Sequence, residues 1–317
     1  MQETAISEAE TKARLISGRT GSIVGMSSFS AMSEPAAEVH INEALVANLL
    51  REQHPDLTGL PIHPVGSGWD NAIFRLGSDL LVRLPRRALS VPLMVQEQRW
   101  LPALAPGLPL PIPVPIRTGL PGSGYPWPWS ITPWFPGTTA ENVAAGHLGT
   151  VAVHLGKFVR TLHRPAPADA PINPHRGVPL AQRDERTRNG ISALEGCREA
   201  VLRAWSESLE IAGWNGPPTW LHGDLHPFNL VVSQDRLSAV IDFGDLCAGD
   251  PATDLAVGWM LFSLPARSVF EDAVGVDADT WRRGRGWAIA LGVAFLGGGE
   301  RLAMIGRRAL CAVLQDD

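Results

Sequence analysis

Apolar residues first recur with the spacing of a helix and then with the spacing of short strands. Between Val39 and Leu50 they form one helical stripe, which Pro55 and Gly59 end. Short apolar runs bounded by turn residues follow, and they predict three strands and a second helix, over 61–65, 72–76, 80–84 and 91–104. A Gly-Ser-Asp turn joins the last two strands and favours a hairpin.

Beyond this region the chain becomes mainly helical. Prolines are dense between 105 and 136, which excludes a helix there and favours extended segments. Helical spacing then returns over 151–163, over 191–211 and from Asp254 onward. Short strands are predicted around the most polar part of the chain and near the lobe junction, over 129–135, 219–221, 230–232 and 239–241.

These elements predict an α+β protein with two lobes. A small β-containing N-lobe covers 38–136, and a larger, mainly helical C-lobe covers 137–317. A chain of 317 residues is long enough for two packed lobes. Residues 1–37 are rich in Ser, Ala, Thr and Gly without a periodic pattern, so we expect a mobile tail.

Composition narrows the classes of partner. The net charge of −5 argues against nucleic-acid binding, which normally requires a basic balance or a basic face. No run reaches the ~18 apolar residues of a membrane span, and the acidic N-terminus does not fit a signal peptide. We therefore expect a cytoplasmic protein without a membrane partner. The three scattered cysteines indicate reduced thiols rather than a zinc site or disulfide framework.

The most polar motif, His-Gly-Asp-Leu-His-Pro-Phe-Asn, lies between two predicted strands at 222–229. Asp224 and Asn229 are five positions apart, and thirteen residues later Asp242 opens an Asp-Phe-Gly sequence. Phosphoryl transfer needs a carboxylate that accepts or orients a hydroxyl proton, and oxygen ligands that hold Mg²⁺ against a triphosphate. The spacing is that of the kinase catalytic and metal-binding loops. We therefore predict Asp224 as the catalytic residue and Asn229 and Asp242 as metal ligands.

Two other interpretations of this motif were weighed. His222 and His226 are four positions apart and could form a zinc-binding pair on a helix, but Gly223 and Pro227 disfavour that helix. The aspartates could merely cap turns at strand ends, which does not explain the Asp–Asn spacing together with the second loop. His222 itself is expected to be a structural hydrogen-bonding residue of the loop.

The same residues resemble the aminoglycoside phosphotransferase family. The matching segments are 222–229, 241–245 and the Gly-Asp-Pro-Ala-Thr-Asp-Leu-Ala sequence at 249–256. The resemblance covers about residues 39–315. It implies a bilobal protein-kinase-like fold and transfer of the γ-phosphoryl group of ATP or GTP to a small-molecule hydroxyl. It also implies that Asp250 or Asp254 caps a helix and braces the catalytic loop, with capping the expected role.

The nucleotide side departs from the usual kinase pattern. No Gly-x4-Gly-Lys-Ser/Thr sequence is present, and the candidate phosphate-covering loop is Gly66, Ser67 and Gly68, followed by Trp69-Asp70-Asn71. Kinases place a lysine on the third strand, but the chain has no lysine between Lys12 and Lys157. Arg83 occupies the matching position, and Glu97 on the next helix is its expected partner. Because the role is electrostatic positioning, arginine can fill it, although impaired nucleotide binding is the alternative.

The arginines that follow, Arg86 and Arg87, are expected to be surface or substrate-side charges. A cationic aminoglycoside would favour an acidic cleft, and the C-lobe carries acidic residues that could instead be solvated helix faces. The Arg-Leu-Pro-Arg-Arg stretch is also similar to the macrolide-kinase branch.

Three hypotheses therefore remain for the function. The first is an antibiotic O-phosphotransferase acting on an aminoglycoside or macrolide, hence a role in antibiotic resistance. The second is a metabolic kinase acting on a choline-like, homoserine or sugar hydroxyl. The third is a pseudokinase that binds nucleotide without catalysis, which the arginine at position 83 motivates.

Overall fold

The structure is a computed structural model that describes residues 36–316. The predicted mobile tail, 1–37, lies outside the described residues except for its last two positions. A five-stranded antiparallel sheet dominates the N-terminal part, in the order β1-β2-β3-β5-β4. Its strands are Ile62–Ser67 (β1), Asn71–Leu76 (β2), Leu80–Pro85 (β3), Arg117–Gly119 (β4) and Trp129–Pro133 (β5).

Two helices accompany this sheet, Glu43–Gln53 (α1) and Val91–Leu104 (α2). Helix α1 begins later than the predicted stripe, because the Asn42 side chain accepts a hydrogen bond from the backbone of Leu45 (2.9 Å) and caps the helix there. Val46, Leu49 and Leu50 on its inner face are buried in a core shared with sheet residues such as Phe74, Val82, Trp129 and Ile131. Close packing in this core fixes the positions of the sheet residues.

Helices dominate the C-terminal part. They are Leu148–Leu162 (α3), Asp184–Ser192 (α4), Arg198–Leu209 (α5), Ala252–Leu255 (α6), Val257–Leu261 (α7), Leu264–Val274 (α8), Ala278–Leu296 (α9) and Glu300–Val313 (α10). The single helix predicted over 191–211 is wrong. The chain forms two helices, α4 and α5, because Gly196 takes a left-handed φ of 78° between them.

Two small antiparallel sheets in the C-lobe hold the loops of the polar motifs. Thr138–Thr139 (β6) and Arg236–Val240 (β9) flank Leu230–Ser233 (β8), while Thr219–Leu221 (β7) pairs with Cys247–Gly249 (β10). Segment 222–229 therefore connects β7 to β8, and segment 241–246 connects β9 to β10. Each loop is fixed at both ends by a strand, so its polar residues occupy defined positions.

The predicted α+β division into a sheet-containing N-terminal region and a helical C-terminal region is confirmed. The five-stranded sheet lies within 38–136 and helices α3–α10 lie within 137–317. The exact lobe boundary stays a prediction. Over the described range, 36–316, no helix combines the length and apolar character needed to cross a membrane.

Candidate active site

The loop between β7 and β8 is held in place by the side chain of Asp254. This buried carboxylate accepts hydrogen bonds from the backbone N–H groups of His222 (2.8 Å) and Gly223 (2.9 Å), and it lies 3.1 Å from Nε2 of His163. Burial opposes its ionised form, yet His163 and the backbone donors hold the pKa of Asp254 below its usual range. A carboxylate buried in this way determines the path of the loop.

The expected capping role of Asp254 is wrong, because its carboxylate bonds the catalytic loop from within α6. Asp250 lies one residue before Pro251, the N-cap of α6; its side chain accepts the backbone N–H of Ala252 (3.0 Å) and pairs with Arg283 (2.9 Å). The bracing role that the resemblance implied therefore falls to Asp254, while Asp250 bonds the start of α6 from outside the N-cap position.

The loop requires a glycine at position 223, where Asp254 binds the backbone. Gly223 has a φ of 85°, and a Cβ atom there would lie 2.2 Å from the carbonyl oxygen of Asp245. The catalytic loop thus packs directly against the loop that follows Asp-Phe-Gly. A larger residue at this position would push the two loops apart.

His222 joins the two loops, and its predicted structural role is confirmed. Its Nε2 lies 3.0 Å from the carbonyl oxygen of Ile241, and its Nδ1 accepts the backbone N–H of Asp224 (3.2 Å). Both ring nitrogens are therefore engaged. That arrangement also disfavours the alternative of a zinc-binding pair with His226.

Asp224 lies between two basic side chains. Nη2 of Arg176 is 3.2 Å from its Oδ1, and Nε2 of His226 is 3.2 Å from its Oδ2. Burial disfavours the ionised form, but His226 and then Arg176 outweigh it and hold the pKa of Asp224 well below its usual range. With 24% of the side chain still exposed, Asp224 is a fixed carboxylate that a hydroxyl group can approach.

Arg176 is the residue that the sequence reasoning missed. Besides Asp224, its Nε donates to the carbonyl oxygen of Gly223 (2.6 Å), so one guanidinium holds both backbone and side chain of the catalytic loop. It lies in an Asn-Pro-His-Arg-Gly segment without periodicity or known spacing to the motif. Only the folded chain brings this segment against Asp224.

The two predicted metal ligands lie on a shared cavity. The amide nitrogen of Asn229 donates to the backbone carbonyl of Asp224 (2.9 Å), which leaves Oδ1 as its acceptor atom. Asp242 has a left-handed φ of 65°, and 59% of its side chain is exposed. A non-glycine residue in this conformation is strained, which is characteristic of functional sites.

The cavity lies between the sheet and the helical lobe and has a volume of about 260 Å³. Four of the predicted site residues line it: Gly68, Arg83, Asn229 and Asp242. Its apolar walls come from both lobes and include Ile73, Leu81, Pro113, Trp134, Phe135, Val231 and Ile241. A cavity with apolar walls and a few charged groups at one end suits a flat base with a charged tail.

Arg83 and Glu97 form the predicted pair. The guanidinium contacts both carboxylate oxygens, at 2.6 and 3.3 Å, and both residues are buried. Arg83 also lies 4.0 Å from Asp242. Burial opposes its charge, but Glu97 and then Asp242 outweigh burial and raise the pKa of Arg83. A permanent cation is thus held at the cavity wall, beside a candidate metal ligand.

Only part of the predicted glycine loop reaches the cavity. Gly66 and Ser67 belong to β1, where a bulge and a φ of 154° at Gly66 bend the strand, while Gly68 lines the cavity with the three residues that follow it. A Cβ atom at Gly68 would meet only the carbonyl oxygen of Asn71, at 3.9 Å. Packing within the protein therefore does not require glycine at this position.

Arg86 and Arg87, expected to be surface or substrate-side charges, are partly exposed, and each also contacts the glycine loop. A substrate-side role stays a prediction. Nη1 of Arg86 donates to the carbonyl oxygen of Gly68 (3.0 Å), and Nη2 of Arg87 lies 3.4 Å from Asp70. Both side chains contact the glycine loop from the segment that directly follows β3, whereas Arg83 within β3 pairs with Glu97.

Comparison with known proteins agrees with this geometry. The model of the phosphotransferase enzyme family matches residues 61–287, and the chain belongs to that family. An aminoglycoside 3'-phosphotransferase of Escherichia coli is 29% identical over 139 residues, which are 41% of this chain and 51% of that protein. One of Salmonella typhimurium is 28% identical over the same length. The chain therefore spans about half the length of the curated relatives that it matches.

Solved structures show the same fold. An aminoglycoside 2'-phosphotransferase in its GDP complex has a TM-score of 0.68 at 17% identity, with 87% of this chain and 99% of that chain covered. A macrolide 2'-phosphotransferase from Brachybacterium faecium has a TM-score of 0.57 at 23% identity, with 86% and 98% covered. The predicted bilobal, kinase-like fold is confirmed.

Proposed function

We propose that this protein moves the γ-phosphoryl group of ATP or GTP to a hydroxyl group of a small molecule. Asp224 accepts or orients the hydroxyl proton, Arg83 holds the donor phosphates, and Glu97 positions Arg83. The backbone at Gly68 covers the phosphates, and Gly66 and Ser67 lead into it from β1. The donor nucleotide, the acceptor and a cytoplasmic location without nucleic-acid or membrane partners all belong to this proposal.

One observation carries the proposal. Arg83 lies on β3 of the five-stranded sheet and is paired with the buried Glu97 of α2, whereas Asn229 and Asp242 belong to two loops of the helical lobe. Arg83, Asn229 and Asp242 line one cavity. Asp224 is linked to that cavity through the hydrogen bond from Asn229 to its carbonyl oxygen. If the aspartates only capped turns, their position near a buried cation at a cavity would have no explanation.

The two oxygen ligands fit Mg²⁺. In the described chain, 36–316, no three His, Cys, Asp or Glu side chains gather into a metal cage, and Mg²⁺ characteristically takes one or two protein ligands plus nucleotide phosphates and water. Asn229 offers Oδ1 and Asp242 an exposed carboxylate on the same cavity. When bound, Mg²⁺ would neutralise charge on the donor phosphates.

The first acceptors to test are antibiotics. Proteins similar to this chain are an aminoglycoside 3'-phosphotransferase and a macrolide 2'-phosphotransferase, and the latter has the highest identity among the structures compared above. We therefore propose an aminoglycoside- or macrolide-type antibiotic as the acceptor, with resistance as the biological outcome. Both classes carry the hydroxyl groups that this chemistry requires.

A metabolic kinase is the second candidate, and a specific observation favours it. A polycationic acceptor would bind best if carboxylates surrounded Asp224. The segment before α4 instead places a cation, Arg176, against Asp224. Asp184, one of the acidic residues considered for such a cleft, is bound by Arg188 (2.6 Å) and by Trp205 (2.7 Å). Its charge is therefore already neutralised within the protein.

The test is an acceptor panel with purified protein, Mg²⁺ and ATP or GTP. The panel contains kanamycin, a macrolide and simple sugars and alcohols, and nucleoside diphosphate release is measured against a reaction without acceptor. We expect acceptor-dependent release with at least one class. Nucleotide binding without release for any acceptor would contradict the proposal and support the pseudokinase hypothesis.

A further inference from the structure

A group of basic side chains lies beside Asp224 and has more positive charge than the protein neutralises. It consists of His175 and Arg176 in the segment before α4, Arg183 just before that helix and Arg186 on it; we call this group the basic cluster. Arg176 contacts Asp224 at 3.2 Å, and Nη1 of Arg183 lies 3.3 Å from Nδ1 of His175. Arg176 thus connects Asp224 to the segment that carries His175, and His175 connects that segment to Arg183.

The positive charges of the cluster are only partly paired. Arg176 is engaged by Asp224, but Arg183 is 6% exposed and its Nε has no hydrogen-bond partner in the described chain. Arg183 and Arg186 form no ion pair with any carboxylate among residues 36–316. The nearby carboxylate of Asp245 is bound by Asn173 at 2.6 Å and offsets charge at Arg176 and His175, but it is not a partner of Arg183.

The electrostatics agree with this account of the charges. Burial, and then Arg176 and Arg186, lower the pKa of Arg183. Burial, and then Arg183, Arg186 and Arg176, lower the pKa of His175. A neutral His175 can accept a hydrogen bond from Arg183 at Nδ1, so it relieves the repulsion without supplying a negative charge.

A buried guanidinium without an anionic partner is costly to the fold, and native proteins pair such charges almost without exception. Sites where they do not are characteristically completed by an ion or a ligand. Arginine is also the residue best suited to bind a carboxylate or phosphate through two parallel hydrogen bonds. For the buried Arg183, with the exposed Arg186 beside it, an anion from outside the protein is the partner that would complete the group.

We propose that the basic cluster is an acceptor subsite that binds a carboxylate or phosphate group of the substrate while the substrate hydroxyl lies at Asp224. This inference rests on the phosphoryl transfer of the proposed function and favours its second candidate, a metabolic kinase, with an anionic hydroxylated acceptor in place of a polycationic aminoglycoside. A polycationic aminoglycoside would place ammonium groups next to Arg183 and Arg186, and like charges in contact disfavour binding.

The experiment uses compounds that share one six-carbon hydroxylated skeleton and differ in charge. They are D-gluconate, D-glucitol 6-phosphate, the neutral D-glucitol and the cationic D-glucamine. Binding to the full chain is measured by calorimetry with Mg²⁺ and a nonhydrolysable ATP analogue, which fills the donor cavity so that anions cannot bind there. The variants are Arg183→Gln and Arg186→Gln, and Arg203→Gln, an exposed arginine of α5, is the control.

We expect the wild type to bind at least one of the two anions about tenfold more tightly than D-glucitol, and D-glucamine most weakly. Gluconate preferred over the phosphate would indicate a carboxylate substrate, and the reverse a phosphate ester. Both cluster variants should lose the preference, while Arg203→Gln should retain it. Should Arg183→Gln fail to fold, the exposed Arg186→Gln decides the test, since exposed substitutions usually change stability little.

Equal binding of the four compounds, tighter binding of glucamine, or a preference that survives Arg186→Gln would overturn the inference. Binding is measured apart from turnover, so the two proposals can fail separately. An Arg186-dependent preference without any phosphoryl transfer would leave the subsite standing and contradict the kinase function. Efficient transfer to kanamycin with no anion preference would do the opposite.

Discussion

Arg176 holds Asp224 by two contacts, one to the carboxylate at 3.2 Å and one to the carbonyl oxygen of the preceding Gly223 at 2.6 Å. The guanidinium thereby fixes the direction of the carboxylate and helps to keep it ionised. A group that accepts or orients a hydroxyl proton must be both correctly placed and unprotonated. Arg176 positions Asp224 and also favours its ionised form, although Arg176 belongs to a segment distant in sequence.

Replacing Arg176 with Met should lower kcat by about 10- to 100-fold, because small misplacements of a catalytic group have effects of that size. The nucleotide KM should stay close to that of the wild type. Since Arg176 lowers the pKa of Asp224, its removal should also move the acid limb of the pH–rate profile to higher pH. Arg282→Met, at an exposed pair with Asp279, is the control, and an unshifted acid limb in Arg176→Met would contradict this role.

Gly68→Ala tests the glycine loop without disturbing the fold. A Cβ atom at this position meets only Asn71 at 3.9 Å, so thermal stability should stay unchanged or rise slightly. The methyl group would, however, hinder close approach of donor phosphates to the backbone, and the nucleotide KM should increase several-fold. Gly146→Ala, where a Cβ would meet nothing within 4 Å, is the matched control. An unchanged KM in Gly68→Ala would remove this residue from the nucleotide site.

Arg83→Ala should weaken nucleotide use and also destabilise the protein. Glu97 would be left as a buried carboxylate without its partner, a change that costs about 3–5 kcal/mol in the free energy of unfolding. Arg83→Ala combined with Glu97→Gln should recover part of that stability but none of the nucleotide affinity. Urea denaturation and nucleotide titration separate the two effects. A double variant that binds nucleotide normally would show that the arginine does not take the place of the usual lysine.

Asp254→Asn should weaken the attachment of the loop 222–229 to α6. The pKa of Asp254 is depressed in the folded state, so the stability it contributes is complete above the ordinary carboxyl pKa and is lost as pH falls through the folded value. The variant should be about 3 kcal/mol less stable at pH 7, and the difference from wild type should shrink in acid. A difference that is constant between pH 7 and pH 3 would contradict the brace.

The sequence predicts the parts of this site that are local in the chain. Asp224, Asn229 and Asp242 follow from spacing within 222–242, and the Arg83–Glu97 pair follows from a strand and a helix recognisable by their periodicity. Arg176 could not be predicted, because its role arises from packing between segments that are 48 positions apart. The division of 191–211 into two helices depended on one left-handed glycine, Gly196, which apolar periodicity does not detect.

The roles of Asp250, Asp254, Arg86 and Arg87 show a second limit of sequence reasoning. Each was recognised as a charged residue near a motif, but its partner lies in another element: Arg283 for Asp250 and the backbone of Gly223 for Asp254. Arg86 contacts the carbonyl oxygen of Gly68 across the hairpin. From local sequence, a charged residue is predicted to lie on the surface. Only the tertiary contacts show which charged residues stabilise the site.

The most direct test of the central claim is the turnover of Asp224→Ala with an acceptor that the wild type phosphorylates. The nucleotide Kd should stay near the wild-type value, because Asp224 does not line the donor cavity. The rate of acceptor-dependent nucleoside diphosphate release should fall by about 10²- to 10⁴-fold, the usual contribution of a positioned acid–base group. An Asp224→Ala protein that phosphorylates the acceptor at the wild-type rate would contradict the account.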